Sequence, residues 1–184
     1  MGDWNREPVS FDLKEDAKPY HGRPYPVPHA RKETLKKELN RLCELGVFEW
    51  QPKSEWASPS FIVTKKDQTV HFLSDFREVN KRFVRKPFPL PKISTVLQEL
   101  EGFTFATAID LNIGYHTIRL DPDSSKICTI LFPWGKYSDL RLACSPDIFQ
   151  AKMMELMATL EFVKPYIDDL LCITKRALED HMDK

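Results

Sequence analysis

Two adjacent aspartates interrupt an apolar segment near the end of the chain. Asp168 and Asp169 follow Tyr166 and Ile167 and precede the apolar run 170–173. Two anions inside a strand-like hydrophobic segment are costly unless a cation or hydrogen bonds compensate them. A tight turn between two short strands would bring both carboxylates to one polar edge. The pair therefore indicates metal-dependent phosphoryl transfer, in which two ions ~3.5–4 Å apart hold the attacking and leaving oxygens.

An Asp-Asp pair is also typical of a solvated turn, because Asp bonds its own backbone and tolerates turn geometry. A third carboxylate favours the metal site. Residues 103–109 form an apolar, β-branched and aromatic run that predicts a buried strand ending at Asp110. If this strand lies beside the hairpin, Asp110, Asp168 and Asp169 surround one metal pair. Mg²⁺, or Mn²⁺ in its place, prefers such oxygen ligands.

Composition bounds the class of protein. A chain of 184 residues with 42% hydrophobic and 29% charged residues fits one globular core or two small subdomains. No apolar run approaches the ~18 residues of a membrane span, and residues 1–6 lack a signal-peptide core. The four cysteines show no CxxC spacing. We expect a reduced, intracellular protein without a membrane partner, and the sequence leaves cytoplasm and nucleus open.

The charge pattern contains one observation against nucleic-acid binding and one in its favour. The formal net charge is zero, whereas a nucleic-acid protein usually carries a basic footprint. Basic residues nevertheless cluster within twelve positions. They are Lys81, Arg82, Arg85, Lys86 and Lys92. This cluster is either a phosphate-binding surface or a solvated basic loop, and the sequence does not separate the two.

The pattern along the first half predicts a lead-in, a helix and a hairpin. Residues 1–30 are rich in proline and predict an extended segment. Leucines at helical spacing predict a helix over 31–45 that Gly46 ends. Two strands, 61–64 and 70–73, follow around a turn. The proline-rich connector 87–91 predicts a subdomain boundary, and an amphipathic helix follows over 93–100.

The second half predicts a sheet with one long helix. We expect strands over 103–110, 116–120, 127–132 and 137–142, with a turn at 121–124 and a hairpin at 133–136. Ser145 followed by Pro146 predicts a helix start. The final hairpin carries the aspartates, and Pro165 within it is expected at a sheet edge because proline cannot donate a ladder hydrogen bond.

Five motifs, in order, give the sequence a family resemblance. They are Ser-Asp-Phe-Arg-Glu-Val-Asn-Lys at 74–81, Pro-Phe-Pro-Leu-Pro at 87–91, Ala-Ile-Asp-Leu-Asn-Ile-Gly-Tyr at 108–115, Ser-Pro-Asp-Ile-Phe-Gln at 145–150 and Tyr-Ile-Asp-Asp at 166–169. Together they resemble the reverse transcriptases of LTR retrotransposons and retroviruses, from about Pro19 to Lys175.

The resemblance implies an α+β fingers–palm fold with an antiparallel palm sheet and helices packed on one face. The lead-in would span 1–30, the fingers 31–91, the palm 92–175 and a short tail 176–184. The thumb, connection and RNase H domains of such enzymes would lie outside this chain. The expected reaction is RNA-directed DNA synthesis from deoxynucleoside triphosphates on an RNA or DNA template-primer.

The resemblance also assigns roles to single residues. Asp110, Asp168 and Asp169 resemble the catalytic metal-binding triad. Tyr115 resembles the aromatic gate against a ribose 2′-hydroxyl, and Gln150 and Lys65 resemble residues that contact the incoming nucleotide. Without the order of the motifs, the residues favour a structural interpretation: a buried aromatic for Tyr115, a solvated lysine for Lys65 and an ordinary helix residue for Gln150.

Two departures bear on activity. His71 stands at a nucleotide-binding position where the family usually has arginine, and imidazole lacks the planar, permanently charged fork of guanidinium. The family's loop between Leu142 and Ser145 is about four residues longer and contains Pro and Gly. We therefore expect impaired nucleotidyl transfer, with a catalytically inactive nucleic-acid-binding remnant as the alternative. A metal-dependent nuclease is a further alternative, although no water-activating His or Lys stands beside the aspartates.

Overall fold

The computed structural model describes residues 7–64, 70–84, 88–89, 95, 98, 102–111, 117–142, 146–175 and 177–183. Its contacts divide the chain into two compact units of mixed α/β structure. The first unit comprises Met1–Arg85 and His116–Cys144, and the second comprises Lys86–Tyr115 and Ser145–Lys184. No helix within the described ranges is long and apolar enough to cross a membrane.

The described elements follow one another in this order along the chain. They are α1 (His29–Glu44), β1 (Phe48–Trp50), β2 (Ser58–Thr64), β3 (Val70–Ser74), α2 (Arg77–Asn80), β4 (Phe105–Asp110), α3 (Pro122–Ile127), β5 (Thr129–Phe132), β6 (Gly135–Asp139), α4 (Pro146–Met157), β7 (Val163–Tyr166), β8 (Asp169–Thr174) and α5 (Leu178–Met182). The first unit holds a sheet of order β1-β6-β5-β2-β3, and the second holds a sheet of order β4-β8-β7. All described strand pairs are antiparallel except β2 with β5.

Helix α1 confirms the predicted leucine stripe. Leu35, Leu39 and Leu42 are buried, and they recur at the three- and four-residue spacing that places side chains on one helix face. The helix ends as predicted before Gly46, whose φ of 68° lies in the left-handed region that glycine adopts without steric cost. Leu45 departs from the stripe and is exposed.

Two predicted features of the segment 116–124 are wrong. The expected turn at 121–124 is the start of α3, because Asp121 caps the helix and Pro122 fits its first position. The Asp121 carboxylate accepts hydrogen bonds from the N–H groups of Asp123 (2.9 Å) and Ser124 (3.1 Å). The expected strand before it is reduced to isolated bridges, of which Leu120 with Val9 ties the N-terminal lead-in to this segment.

The segment after residue 116 also packs differently from the expectation. We assigned 92–175 to one palm, but 116–144 clusters with the N-terminal residues. The reason is strand pairing: β5 runs parallel to β2, with Ser58 opposite Ile130, and β6 pairs with β1. The predicted hairpin between β5 and β6 is present. The predicted 65–68 turn lies outside the described residues, and so do nearly all of the 87–91 connector and the 93–100 helix.

The second unit is built around the aspartate hairpin. Helix α4 buries Phe149 and Met153 against this unit. Strand β7 lies at the edge of the described sheet, which accommodates Pro165 as predicted. Strand β4 was expected to be buried, yet every residue from Ala106 to Asp110 is exposed. It pairs on one side within the described sheet, and three of its side chains are small Ala or Thr.

Helix α5 is fixed to this sheet by one buried imidazole. His181 lies 2.8 Å from the Thr107 hydroxyl through Nε2 and 2.9 Å from the Thr174 hydroxyl through Nδ1. Thr107 belongs to β4 and Thr174 to β8, so the imidazole connects the two strands that carry Asp110 and Asp169. Because residue faces alternate along a strand, Thr107 lies on the opposite face of β4 from Asp110.

A buried carboxyl in the first unit predicts a pH-dependent stability. Desolvation raises the pKa of Asp139 well above its ordinary value, although the backbone N–H and the charge of Arg141 oppose this rise. An acid whose pKa is higher in the folded state destabilises the fold as pH climbs from the unfolded pKa, about 4, through the folded one. We expect Asp139→Asn to remove this part of the pH dependence and to raise stability at neutral pH. Urea unfolding between pH 4 and pH 8 measures it, and parallel curves for the two proteins would contradict the prediction.

Candidate active site

Strand register brings two of the three predicted carboxylates together. Asp110 at the end of β4 stands directly opposite Asp169 at the start of β8. The adjacent rung carries a hydrogen bond, because the Leu111 N–H donates to the Asp168 carbonyl at 2.8 Å. Hydrogen-bonded and non-hydrogen-bonded pairs alternate along an antiparallel ladder, so Asp110 and Asp169 form the closer kind of pair, with Cα atoms ~4.5 Å apart. Their side chains share one face of the sheet.

The turn that presents Asp168 is conformationally unusual. Tyr166 pairs with Asp169, so Ile167 and Asp168 form a two-residue loop. Such loops favour a positive φ at the first central residue, usually supplied by Gly or Asn. Here Ile167 has a φ of 51°, the positive value found at no other non-glycine residue of the described ranges. A β-branched residue in this region is strained by about 1–3 kcal/mol and persists only when its surroundings fix it.

Gln150 lies beneath this turn rather than open to solvent. Its side chain is 0% exposed. Its Nε2 donates to the Pro165 carbonyl at 2.9 Å, and its Oε1 accepts from the Ile167 N–H at 2.6 Å. The sequence led us to expect direct nucleotide contact from Gln150, but this arrangement commits both polar atoms of the amide to the hairpin backbone.

The electrostatics of the site concentrate on Asp168. Desolvation raises the pKa of the Asp168 carboxyl, and repulsion from Asp110 and Asp169 raises it further. Its Oδ1 is buried and has no hydrogen-bond partner within the described residues. Asp110 and Asp169 are exposed. A buried carboxylate oxygen without a donor, beside two like charges, is an arrangement that a bound cation would stabilise.

The donor set fits a hard divalent cation. All three side chains offer carboxylate oxygens, the ligands that Mg²⁺ and Mn²⁺ prefer. Within the described residues, no three His, Cys, Asp or Glu side chains converge into a complete metal cluster. Asp110 and Asp169 are free to rotate because they are exposed, and Mg²⁺ sites commonly complete their shells with water and substrate phosphates.

The nucleotide-binding residues expected outside this unit are only partly described. His71 is exposed on β3 of the first unit, opposite Val63. Lys65, Tyr115, Arg85 and Lys86 lie outside the described residues, so their predicted roles stay predictions. At the shortened junction, Leu142 is buried and its N–H donates to the Ile118 carbonyl at 2.9 Å, whereas 143–145 are not described.

The described members of the basic cluster differ from each other. Lys81 is 69% exposed and forms an ion pair with Glu78 at 2.5 Å. Arg82 is largely covered: its Nε donates to the Lys18 carbonyl at 2.9 Å, its Nη1 pairs with Glu78 at 3.2 Å, and its guanidinium lies 5.3 Å from the centre of the Tyr20 ring. Arg82 therefore ties the N-terminal lead-in to the end of α2.

This difference predicts a large loss of stability for one alanine substitution and a small change for the other. We expect Arg82→Ala to lower the free energy of unfolding by about 1–3 kcal/mol, because its contacts with the Lys18 carbonyl, with Glu78 and with the Tyr20 ring are lost together. Lys81→Ala should change it by less than about 0.5 kcal/mol, since exposed ion pairs contribute little. Urea denaturation of the two variants measures this. Equal effects would show that the guanidinium is not an anchor.

A basic cavity beside this cluster was not found from the sequence. It has a volume of about 470 Å³ and is lined by Lys14, Arg77, Asn80, Lys81 and Phe83. Lys14 lies far from the others in sequence and reaches them because its Nζ donates to the Lys81 carbonyl at 2.8 Å. The sequence signal was the motif at 74–81, but its pairing with the lead-in depends on tertiary structure. Arg77 is partly neutralised by Asp75, at 2.6 and 2.8 Å.

Two of the relatives with similar sequences are retroelement polyproteins. No family model matches the chain. The uncharacterized protein K02A2.6 of Caenorhabditis elegans is 30% identical over 188 residues, which is 98% of this chain and 15% of that protein. The retrovirus-related Pol polyprotein from transposon 412 of Drosophila melanogaster is 29% identical over 184 residues, 94% of this chain and 15% of that protein. The Tf2-3 transposon polyprotein of Schizosaccharomyces pombe is 28% identical over 163 residues, 85% of this chain and 12% of that protein.

Solved structures agree on the fold. Prototype foamy virus protease-reverse transcriptase matches 99% of this chain and 25% of its own with a TM-score of 0.86 and 23% identity. The same kind of enzyme in complex with an RNA/DNA hybrid gives a TM-score of 0.87 at 21% identity, again over 99% of this chain and 25% of the other. The chain spans about 15% of the length of the first two relatives above. It is therefore similar in sequence to a segment of retroelement Pol polyproteins and has a fold found in foamy virus protease-reverse transcriptase.

Proposed function

We propose that this chain is the fingers-and-palm region of a retroelement reverse transcriptase and that Asp110, Asp168 and Asp169 are its catalytic carboxylates. One observation carries the proposal. Asp110 faces Asp169 across a non-hydrogen-bonded rung, and Asp168 beside them has a buried, unpartnered carboxylate oxygen. The similarity to Pol polyproteins supports the same assignment.

The three carboxylates would hold Mg²⁺ or Mn²⁺. When bound, the cations would favour deprotonation of a primer 3′-hydroxyl and neutralise the pyrophosphate leaving group. The protein's own contribution is positioning: β4 and β8 place Asp110 and Asp169 opposite each other, and the hairpin turn presents Asp168 near both. Catalysis of this kind consists mostly of positioning and electrostatic stabilisation, so the rigidity of this hairpin matters as much as its charge.

We further propose an RNA or DNA template-primer and deoxynucleoside triphosphates as the partners. Solved structures with this fold hold an RNA/DNA hybrid in one case and double-stranded DNA in another. In the first unit, the exposed Lys81 beside the basic cavity is the described residue best suited to contact phosphates. Each lost phosphate contact should flatten the salt dependence of binding by about one unit, so Lys81→Ala tests this surface without disturbing the fold.

A catalytically inactive nucleic-acid-binding remnant is the second candidate. His71 favours it, because an imidazole replaces a guanidinium that would hold a triphosphate through two charge-assisted hydrogen bonds. The short junction after Leu142 favours it as well. Both features weaken nucleotide handling and leave the aspartate hairpin intact.

Primer extension separates these functions. The chain is supplied with a labelled primer on RNA and on DNA templates, with Mg²⁺ or Mn²⁺, and Asp110→Asn serves as the matched control. Template-dependent addition that Asp110→Asn abolishes supports the polymerase. Nucleic-acid binding without nucleotide addition favours the remnant, if a variant with Pro-Met-Gly-Leu inserted after Leu142 and with His71→Arg also adds no nucleotide. Degradation of the substrate without addition would favour the nuclease.

A further inference from the structure

We infer that Gln150 is the positioning residue that holds the aspartate turn in its strained, metal-binding conformation. The inference rests on the proposed function, because it concerns the same three carboxylates. It gives Gln150 a structural task inside the hairpin, while the expected contact between Gln150 and a nucleotide stays a prediction.

The Gln150 amide pairs with the edge of β7 that no other strand of the described sheet occupies. In an extended strand, the carbonyl of one residue and the N–H two residues later point to the same side. Pro165 and Ile167 are such a pair, and Gln150 donates to the carbonyl at 2.9 Å and accepts from the N–H at 2.6 Å. Only a side chain with one donor and one acceptor on the same planar group satisfies both. Both backbone groups would otherwise be left without a strand partner at this edge.

The hydrogen bond to Ile167 acts on the strained point of the turn. Ile167 has a φ of 51°, which a β-branched residue adopts only when its surroundings fix it. The Ile167 N–H is one of the two groups that define this φ. With the Gln150 acceptor removed, the residue is expected to relax toward negative φ.

Relaxation at Ile167 would reach the carboxylates directly. Asp168 follows Ile167 in the chain, and its carbonyl accepts from the Leu111 N–H next to Asp110. A change in the Ile167 backbone rotates the peptide that carries Asp168, and with it the buried Oδ1. Gln150 is 0% exposed, and its side-chain amide contacts the backbone of Pro165 and Ile167. It acts through the turn.

The test compares Gln150→Met, which keeps the volume and removes both hydrogen bonds, with Met154→Leu as an exposed control on the same helix. Two readouts are taken on the 184-residue chain: amide exchange at Ile167 by NMR, and Mn²⁺ affinity by electron paramagnetic resonance. We expect exchange at Ile167 to rise at least about tenfold and Mn²⁺ affinity to fall about 10–100-fold, as for loss of a ligand-orienting partner. Adding Ile167→Asn should restore part of the affinity, because Asn tolerates positive φ.

Other outcomes overturn the inference. Native exchange and native Mn²⁺ affinity in Gln150→Met would do so, and so would a loss confined to nucleotide affinity, which indicates direct nucleotide contact. If Gln150→Met does not fold, exchange of the Gln150 side-chain amide protons is measured in the native protein. Slow exchange supports Gln150 as the positioning residue of the turn, and fast exchange excludes it. Asp168→Asn separates the two claims: if it leaves Mn²⁺ binding unchanged, the proposed function fails, whereas the exchange at Ile167 still tests Gln150.

Discussion

Asp168→Asn is expected to weaken Mn²⁺ binding at least about a hundredfold and to abolish any nucleotide addition. The substitution removes a carboxylate whose buried Oδ1 has no partner among the described residues. Direct ligands matter more than their orienting partners, whose loss already costs about 10–100-fold. The variant should also be more stable than the native protein above the ordinary pKa of Asp. Desolvation and then repulsion raise the pKa of Asp168, so its ionised form destabilises the fold at neutral pH.

The combination of lost binding and gained stability identifies a functional charge. Titration with Mn²⁺ and urea unfolding at pH 7 measure the two effects, with Asp180→Asn as a control on an exposed carboxylate of the same unit. A variant that loses metal binding because it unfolds would lose stability instead. Unchanged Mn²⁺ affinity in Asp168→Asn would remove the basis for the metal site.

A repaired nucleotide-handling region is expected to raise nucleotide incorporation by about a hundredfold. The repair inserts Pro-Met-Gly-Leu after Leu142 and changes His71→Arg. Three residues, 143–145, separate Leu142 from α4, and α4 carries Gln150. A misplacement of ~1 Å at a reacting group costs about 10²-fold in rate, and arginine adds a charge-assisted, bidentate contact to the triphosphate.

Both versions are to be assayed with the thumb segment of a related polymerase fused downstream, under identical Mg²⁺ concentrations. The single changes, insertion alone and His71→Arg alone, show how the gain divides between them. Equal incorporation by the native and repaired chains would show that the short junction and His71 do not limit this protein.

The sequence predicted elements where one local signal dominates. The leucine spacing and Gly46 defined α1, and the paired aspartates within apolar residues defined the β7–β8 hairpin and its polar end. Pro165 was correctly expected at a sheet edge. These features depend on periodicity, on turn chemistry and on the backbone N–H that proline lacks. All three are properties of a few neighbouring residues.

The sequence failed where distant residues decide the outcome. The segment 116–144 joins the N-terminal sheet because β5 pairs with β2, and the paired residues Ser58 and Ile130 are 72 positions apart. No local pattern encodes that partner. The burial of Gln150 depends on the free edge of β7, and the positive φ of Ile167 contradicts its own propensity. Asp121 and Pro122 predicted a turn, but they cap and begin helix α3. The same two residue types are equally typical of a capped helix start.

The most direct test of the proposed metal site is a crystal structure of the protein with Mn²⁺, in which the ion is located by anomalous scattering. The proposed metal site predicts an anomalous peak from Mn²⁺ that is coordinated by Asp110 and Asp168, with Asp169 next to it. A two-metal site spans ~4 Å, so the Asp110 and Asp168 carboxylates should then lie well within ~8 Å of each other. Carboxylates more than about 8 Å apart, with no anomalous peak between them at saturating Mn²⁺, would contradict the claim that these residues form a polymerase metal site.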